Sequence, residues 1–231
     1  MCWMLLRAEV SLASVPCTPA RGKTALIIGQ DYRSILEYSK SIEKPFGFMT
    51  YTAISFNSSE SLAGLKFPVD YGSGIEWSKG LLEFQSGSSL QIGLYLVNSC
   101  GYIMTGLLDG YIDELGSFLK KYSEHSIYLR IGYEFDSEEN NYSLRIQPLF
   151  GIPLVLNRVM ACRLNVLCHV FASNLDDDIE WFPGDEYVDW CGVSLFQQPY
   201  DCQTIADCRF LYAEVSFSIL LLILIISYRI W

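Results

Sequence analysis

The sequence lacks any stripe of basic residues that could neutralise phosphates, and its formal net charge at pH 7 is −10. Nucleic-acid binding depends on such neutralisation, so this composition argues against a nucleic-acid partner. The acidic balance also suits a neutral substrate better than an anionic one. The composition is also unlike that of a disordered chain, because 51% of the 231 residues are hydrophobic and 14% are aromatic. The chain can therefore bury a sizeable core.

Cysteine is too scarce for a disulfide scaffold, since eight residues are spread over the whole chain. No two of them have the CxxC spacing that is typical of zinc sites, so we predict no structural zinc. Cys202 and Cys208 lie close together in a loop-like segment. The sequence leaves open whether they form a local disulfide or stay as free thiols.

The two ends of the chain differ from the region between them. Residues 1–20 contain an apolar run that Arg7 and Glu9 interrupt, and we interpret them as a leader or a disordered N-terminus. The segment from Val215 to Tyr228 carries no charge. Runs of about 10–14 apolar residues are usually too short to span a bilayer and more often belong to a core. We treat residues 215–231 as an apolar tail, for which a membrane anchor and a gene-prediction artefact are the alternatives.

Between residues 21 and 214, short apolar runs alternate with amphipathic windows, which predicts successive βα units and a parallel sheet. The helices are expected over Arg33–Lys44, which Pro45 ends, and over Leu107–Tyr122, which has one apolar face. A long loop with a short helix is expected between Asn57 and Ser89. The predicted strands are Thr24–Asp31, Gly47–Ser55, Leu90–Val97, Ile127–Glu134, Val166–Ser173 and Tyr187–Phe196.

Six such units predict an α/β fold of the (β/α)8 TIM-barrel type. The competing fold is a doubly wound open sheet, which normally has a glycine-rich phosphate turn after its first strand. Here the first predicted strand ends in Gly29-Gln30-Asp31, without a GxGxxG motif. The barrel is therefore favoured. The chain after Phe196 is too short for two further βα units, so we expect the barrel to be incomplete at the C-terminus.

Charged residues in the fourth predicted strand point to a site. Barrel active sites lie at the carboxyl ends of the strands, and the strand period of two places Arg130 and Glu134 on one side. The opposite side is apolar and is expected to meet the helices. Arg130 would then lie inside the barrel below Glu134, holding that carboxylate and tuning its pKa. The alternative is a purely structural ion pair, just as Asp31 could simply be the N-cap of the first helix.

Several segments resemble a known family. The fourth strand reads YLRIGYEFD, followed by Asn141 and Tyr142, and residues 180–194 read EWFPGDEYVDWCGVS. The early segments GQD, at residues 29–31, and GFMTYTAI, at residues 47–54, fit as well. Together they resemble glycoside hydrolase family 26 and its relatives, which include β-mannanases, over residues 24–200. The resemblance implies a hydrolase of β-linked polysaccharide, without a metal or an organic cofactor.

By this resemblance, Glu134 is the general acid/base, which protonates the leaving glycosidic oxygen. A retaining enzyme also needs a nucleophilic carboxylate about 5–5.5 Å away. The segment RFLYAEVSF resembles the family's seventh strand, which makes Glu214 the candidate nucleophile. Many relatives carry His or Asn where this chain has Tyr133. The candidate substrate-binding residues are Asp31, Arg130, Tyr133, Asp136 and Trp181.

The resulting hypothesis is a secreted, monomeric glycoside hydrolase of the β-mannanase type, with a polysaccharide or oligosaccharide as its partner. A catalytically inactive carbohydrate-binding relative, in which the cleft remains and the nucleophile is lost, is the alternative. A third hypothesis is a membrane-anchored interaction protein that uses the segment from Val215 to Tyr228. The sequence identifies neither the sugar nor the linkage.

Overall fold

A computed structural model describes residues 25–41, 44–57 and 59–132, together with the backbone of two later strands. In chain order, the elements are β1 (Ile27–Ile28), α1 (Tyr32–Ser41), β2 (Gly47–Ala53), α2 (Ala63–Lys66), β3 (Val69–Asp70), β4 (Ile75–Glu76), α3 (Ser78–Phe84), β5 (Ser89–Tyr95), α4 (Cys100–Met104), α5 (Asp109–Lys121), β6 (Ile127–Ile131), β7 (Leu164–Phe171) and β8 (Trp190–Ser194).

The main sheet has the strand order β1-β2-β5-β6-β7-β8, and all its pairings are parallel. Successive strands of the main sheet therefore lie side by side in the order in which the chain makes them. A doubly wound sheet reverses its strand order at a switch point, and the described part of this sheet has no such reversal. The single direction of winding is that of a (β/α) barrel, so the predicted fold class of the TIM-barrel type is confirmed.

The alternation of side chains divides the sheet into two faces. One face carries Phe48 of β2, Ile92 of β5 and Leu129 of β6, each at most 1% exposed. These residues form one buried hydrophobic cluster with the helices, including Ile35 of α1 and Ile112 of α5. This face therefore meets the helices. The other face is the one that points to the axis of a barrel, as predicted from the apolar side of the fourth strand.

All six predicted strands are present, and the differences lie at their ends. β1 is paired only at Ile27 and Ile28, because Asp31 already caps the helix that follows. β6 ends at Ile131, because the positive φ of 60° at Gly132 stops the extended backbone. The predicted C-terminal end of this strand, at Glu134, is therefore wrong. The simple alternation that would carry Glu134 to the side of Arg130 stops at Ile131.

The region between Asn57 and Ser89 contains more structure than the predicted loop with one helix. It holds α2 and α3, and the strands β3 and β4 pair antiparallel as a small ribbon. The helix predicted over Leu107–Tyr122 is confirmed as α5, and the one over Arg33–Lys44 as α1, each with slightly different ends.

Several predictions concern parts of the chain outside the described residues. These are the state of Cys202 and Cys208 and the apolar tail at residues 215–231. Within the described ranges, no helix is both long enough and apolar enough to cross a membrane. The domain boundaries, the monomeric state and secretion stay predictions.

Candidate active site at the carboxyl ends of the strands

A row of three residues crosses the axis-facing side of the sheet. Tyr51 of β2 is paired with Gly93 of β5, and Gly93 is paired with Arg130 of β6. Laterally paired residues of neighbouring strands point to the same face. Because Gly93 has no side chain, the space between the two outer residues of the row is open. The long side chain of Arg130 can therefore reach across a whole strand toward Tyr51.

Arg130 uses this space and is only 4% exposed. Its Cζ lies 5.8 Å from the centroid of the Tyr51 ring, and its Nη1 donates to the Tyr51 hydroxyl at 3.4 Å. The same nitrogen lies 3.3 Å from Sδ of Met49. Cation–π contact and a phenolic acceptor both favour the charged guanidinium in this buried place. Arg130 therefore lies on the axis-facing side of the sheet, as expected, and its place below Glu134 and its contact with substrate stay predictions.

β1 pairs only with the start of β2. Further along the same edge of β2, backbone groups are paired by the β3–β4 ribbon and by the loop before that ribbon. After the last β1 pairing, the Tyr51 amide donates to Oε2 of Glu76 at 3.0 Å, and the Ala53 carbonyl accepts from the Leu62 amide at 2.8 Å. Buried backbone groups need such partners. The backbone of Gly64 also packs closely against β2, since a Cβ at Gly64 would lie 2.6 Å from the Tyr51 carbonyl oxygen. Side chain and loop together replace the missing strand.

Glu76 is a fully buried carboxyl group, with 0% exposure. Burial, as the largest cause, and the nearby charges of Asp31 and Asp70 together raise its pKa from 4.5 to about 7, against the lowering effect of the Tyr51 hydrogen bond. Its Oε1 has no hydrogen-bond partner among the described residues. The protonated form of this carboxyl group, beside the strand that carries Tyr51, therefore persists to a higher pH than that of an exposed glutamate.

Asp31 is held by the protein on both of its carboxylate oxygens. Oδ2 accepts from the Ser34 amide at 2.8 Å and from the Ser34 hydroxyl at 2.6 Å, which is the arrangement of an N-cap of α1. Oδ1 accepts from the Ile75 amide of β4 at 2.8 Å. These bonds, first that of the Ser34 hydroxyl, lower the pKa of Asp31 to about 2. The structure thus gives Asp31 the cap role, and its contact with a sugar stays a prediction.

An exposed aromatic pair lies beyond the carboxyl ends of two neighbouring strands. Phe56 follows β2 and is 65% exposed, and Tyr102 of α4 follows β5 and is 40% exposed. Their rings stack with centroids 4.8 Å apart and an interplanar angle of 27°. The turn before Phe56 is fixed, because the Ser55 amide donates to the Ser61 hydroxyl at 2.8 Å and that hydroxyl donates to the Ser55 carbonyl at 2.6 Å. The pair forms a held apolar surface on this rim.

The remaining predicted site residues lie outside the described ranges. They are Tyr133, Glu134, Asp136, Trp181 and Glu214. The structure therefore brings together the strand that precedes Glu134, the buried Arg130 and the Tyr51 ring. Within the described ranges, no group of three or more His, Cys, Asp or Glu side chains could hold a metal ion.

Four residues of this region were not found from the sequence, and Tyr51, which the sequence analysis treated only as part of a strand, is one of them. Glu76 follows Gly72 and Gly74, and those glycines mark the turn of the ribbon. A glutamate directly after such a turn would normally be exposed, so its burial could not be read from the pattern. Phe56 could have been found, because it follows the second predicted strand directly and is followed by polar residues. Tyr102 lies in a helix of five residues, too short to show a helical period.

The chain is similar in sequence to two curated glycosidases. No family model matches the chain. The chain is 27% identical over 185 residues to the β-1,3-xylanase TXYA of a Vibrio species, an alignment that covers 76% of this chain and 38% of the xylanase. It is also 27% identical over 185 residues to a β-1,3-xylanase of an Alcaligenes species, and covers 37% of that enzyme. The chain thus spans well under half the length of these curated relatives.

Solved structures of mannanases align with the chain as well. Bacillus subtilis mannanase man26 matches with 16% identity and a TM-score of 0.48, over 80% of this chain and 67% of the mannanase. The B. subtilis mannanase BCman has the same identity and TM-score, with 66% of its own chain covered. The sequence similarity to the two xylanases relates the chain to glycosidases that act on β-linked polysaccharides, which is the reaction class that its strand motifs resemble.

Proposed function

We propose that this chain is a glycoside hydrolase that cleaves the β-linked backbone of a polysaccharide with retention, using Glu134 as acid/base and Glu214 as nucleophile. The observation that carries the proposal is the buried Arg130 on the axis-facing side of β6, four residues before Glu134. Strands of this fold carry their catalytic residues at their carboxyl ends. The similarity to two β-1,3-xylanases supports the same reaction class.

The charge of Arg130 suits the chemistry of such a site. A guanidinium close to a carboxylate favours the ionised form. The nucleophile needs that form when it attacks the anomeric carbon, and the acid/base needs it in the second step, when it removes a proton from water. In the first step the acid/base must carry a proton to deliver to the leaving oxygen. Arg130 would therefore assist the steps in which a carboxylate is ionised, and would hold the strand end in place.

The substrate would cross the rim on which Phe56 and Tyr102 stack. Aromatic faces are flat apolar surfaces on which the apolar side of a pyranose ring can lie, while its hydroxyl groups stay in water. The chain's net charge of −10 fits a neutral sugar polymer. Among β-linked polymers we propose β-1,3-xylan as the first substrate to test and β-mannan as the second, because the relatives carry those names.

The test is hydrolysis by the purified full chain. β-1,3-Xylan, β-mannan and an α-linked glucan are incubated with the protein, and reducing ends are counted over time. We expect reducing ends from a β-linked polymer and none from the α-linked one. An absence of turnover on every polymer would overturn the proposal.

Saccharide binding without turnover would instead support the carbohydrate-binding relative. Affinity electrophoresis on the same polymers separates these two outcomes. A binding protein would be slowed in a gel that contains the β-linked polymer, and Glu134→Gln would leave that retardation unchanged.

A further inference from the structure

One edge of β2 is only partly paired with a neighbouring strand. β1 pairs with this edge only at Ile27 and Ile28. Further along, the Tyr51 amide on the same edge lies beyond the last β1 pairing, and a part-buried donor in such a place needs an acceptor. The Glu76 carboxyl group accepts its hydrogen bond at 3.0 Å. The Glu76 side chain, which belongs to the β3–β4 ribbon, thus supplies the acceptor that a neighbouring strand would otherwise offer to the Tyr51 amide.

Glu76, which accepts this hydrogen bond, is a residue whose burial costs free energy. A glutamate with 0% exposure and one oxygen without a hydrogen-bond partner in the described residues must either lose its charge or remain unsolvated. The ribbon that carries it is anchored next to it, where the Ile75 amide donates to Asp31 at 2.8 Å. The Glu76 carboxyl group is therefore held by the Tyr51 amide on one side and by the anchored ribbon on the other.

Tyr51 links this contact to the candidate active site. The backbone amide of Tyr51 is bonded to Glu76, and its ring lies against the Arg130 guanidinium. Any shift of the β2 backbone at Tyr51 would move the ring by a similar distance. Catalytic geometry is sensitive to displacements of about 1 Å, even when they start away from the reacting atoms.

We propose that Glu76 is a positioning residue, which fixes the backbone of Tyr51 and so sets the Tyr51 ring against Arg130 at the strand end that leads to Glu134. The inference rests on the proposed function for its catalytic consequence, and on the described contacts alone for its structural part. Glu76 itself is not expected to touch the sugar, because it is fully buried.

Other charges surround Glu76 and must be separated from it in the test. Asp31 at the start of α1 and Asp70 of β3 both act on its carboxyl group. The Tyr71 hydroxyl accepts from the Gly64 amide at 3.1 Å, and burial first, then the charges of Glu76 and Glu60, raise its pKa. Ionisation of Glu76 would thus place a third negative charge beside two aspartates.

The test uses the full chain labelled with ¹⁵N and follows the Tyr51 amide and the Arg130 side-chain resonance by NMR. The variants are Glu76→Gln, which keeps an acceptor oxygen, and Glu76→Leu, which removes it. Glu83→Gln is the matched control, because Glu83 is an exposed glutamate of the neighbouring α3. We expect both resonances to stay near their wild-type positions in Glu76→Gln and the control, and both to shift in Glu76→Leu.

A pH titration of the wild type decides the matter if Glu76→Leu does not fold. The two resonances should then move with one common midpoint, and neither should show this step in Glu76→Gln. If the Tyr51 amide responds while the Arg130 resonance does not, Glu76 only satisfies the backbone and the proposal is overturned. The same conclusion follows if neither resonance responds.

The kinetic arm tests the consequence for the reaction. We expect kcat to fall about tenfold in Glu76→Leu, with KM within about twofold of the wild type, and to be unchanged in Glu76→Gln. An unchanged kcat in a folded Glu76→Leu protein would overturn the catalytic consequence. If the wild type hydrolyses nothing, the proposed function fails, and the NMR result still decides whether Glu76 positions Tyr51 and Arg130.

Discussion

The guanidinium of Arg130 lies over the ring of Tyr51, with 5.8 Å between Cζ and the ring centroid, although a whole strand separates the two residues. Gly93 in that strand makes the contact possible, because it leaves the axis-facing side of the sheet open between them. The contact holds a buried cation where the chain enters the segment that contains Glu134. It is the described feature that most directly connects the fold to the proposed reaction.

Filling the gap at Gly93 should therefore cost stability. Gly93→Val would place a branched side chain between Tyr51 and Arg130, and overpacking of this kind costs about 1–3 kcal/mol. Urea unfolding of the variant measures the loss. Gly110→Ala in α5 is the matched control, since a Cβ there meets nothing within 4 Å and alanine favours a helix by roughly 0.5–1 kcal/mol. Equal stability of Gly93→Val and the wild type would show that this gap is not needed.

Removing the cap at Asp31 should loosen two elements at once. Asp31→Ala loses the N-cap of α1 and the acceptor for the Ile75 amide. We expect a loss of roughly 1–2 kcal/mol, the usual cost of a missing N-cap, and a smaller loss in Asp31→Asn, which keeps an acceptor oxygen and lacks the charge. Chemical unfolding compares the two variants. Equal losses in both would mean that the charge of Asp31, and not its cap geometry, stabilises the fold.

The pKa of Asp31 gives a second and independent signature. Its pKa is lowered from 3.8 to about 2 in the folded chain. A lowered folded pKa contributes stability that is present above about pH 4 and is lost as the pH falls toward 2. Asp31→Asn should therefore be less sensitive to acid than the wild type over that window. Parallel acid-unfolding curves for the two proteins would contradict the assignment.

Glu76 should produce the opposite dependence on pH. Its pKa rises from 4.5 to about 7 on folding, so the folded chain binds more protons than the unfolded chain between these values. Stability should then fall as the pH rises through this window, by on the order of 2 kcal/mol in total. In Glu76→Gln this decline should disappear, because the amide cannot ionise. The unfolding free energy of both proteins, measured from pH 4.5 to 8, gives the comparison, and an identical decline in both would contradict it.

The aromatic pair on the rim should affect binding of long substrates. Phe56→Ala removes one of the two stacked rings and is expected to weaken affinity for a β-linked polymer about three- to tenfold, corresponding to roughly 0.5–1.5 kcal/mol. Phe84→Ala is the matched control, because Phe84 is also exposed but ends α3 just before β5 begins, at the other end of the sheet. Affinity electrophoresis measures both. A similar loss in the two variants would argue against a sugar site at Phe56.

Much of the described fold could be predicted from the sequence, because each strand of the main sheet is a short apolar run between polar or turn residues. The segments Gly47–Ala53 and Ile127–Ile131 show this most clearly, since local pattern and tertiary environment agree there. The absence of a GxGxxG motif separated the barrel from the doubly wound sheet, and the strand order agrees with that choice.

The local structure of the rim could not be predicted in the same way. The burial of Glu76 depends on how early β1 leaves β2, which is a property of two segments distant in sequence. The end of β6 depends on the positive φ of Gly132, and the presence of a glycine does not by itself predict that conformation. The strand motifs supplied the reaction class, whereas tertiary contacts determine what surrounds Arg130.

The most direct test of the central claim is the rate of hydrolysis by Glu134→Gln. Glu124→Gln is the matched control, since Glu124 has a side chain that is 65% exposed and precedes β6 in the same segment of the chain. Reducing ends released from β-1,3-xylan and β-mannan are measured under identical conditions. If Glu134 is the acid/base, its variant should lose at least about 10²-fold in kcat while the control keeps the wild-type rate. Wild-type hydrolysis by Glu134→Gln would contradict the account.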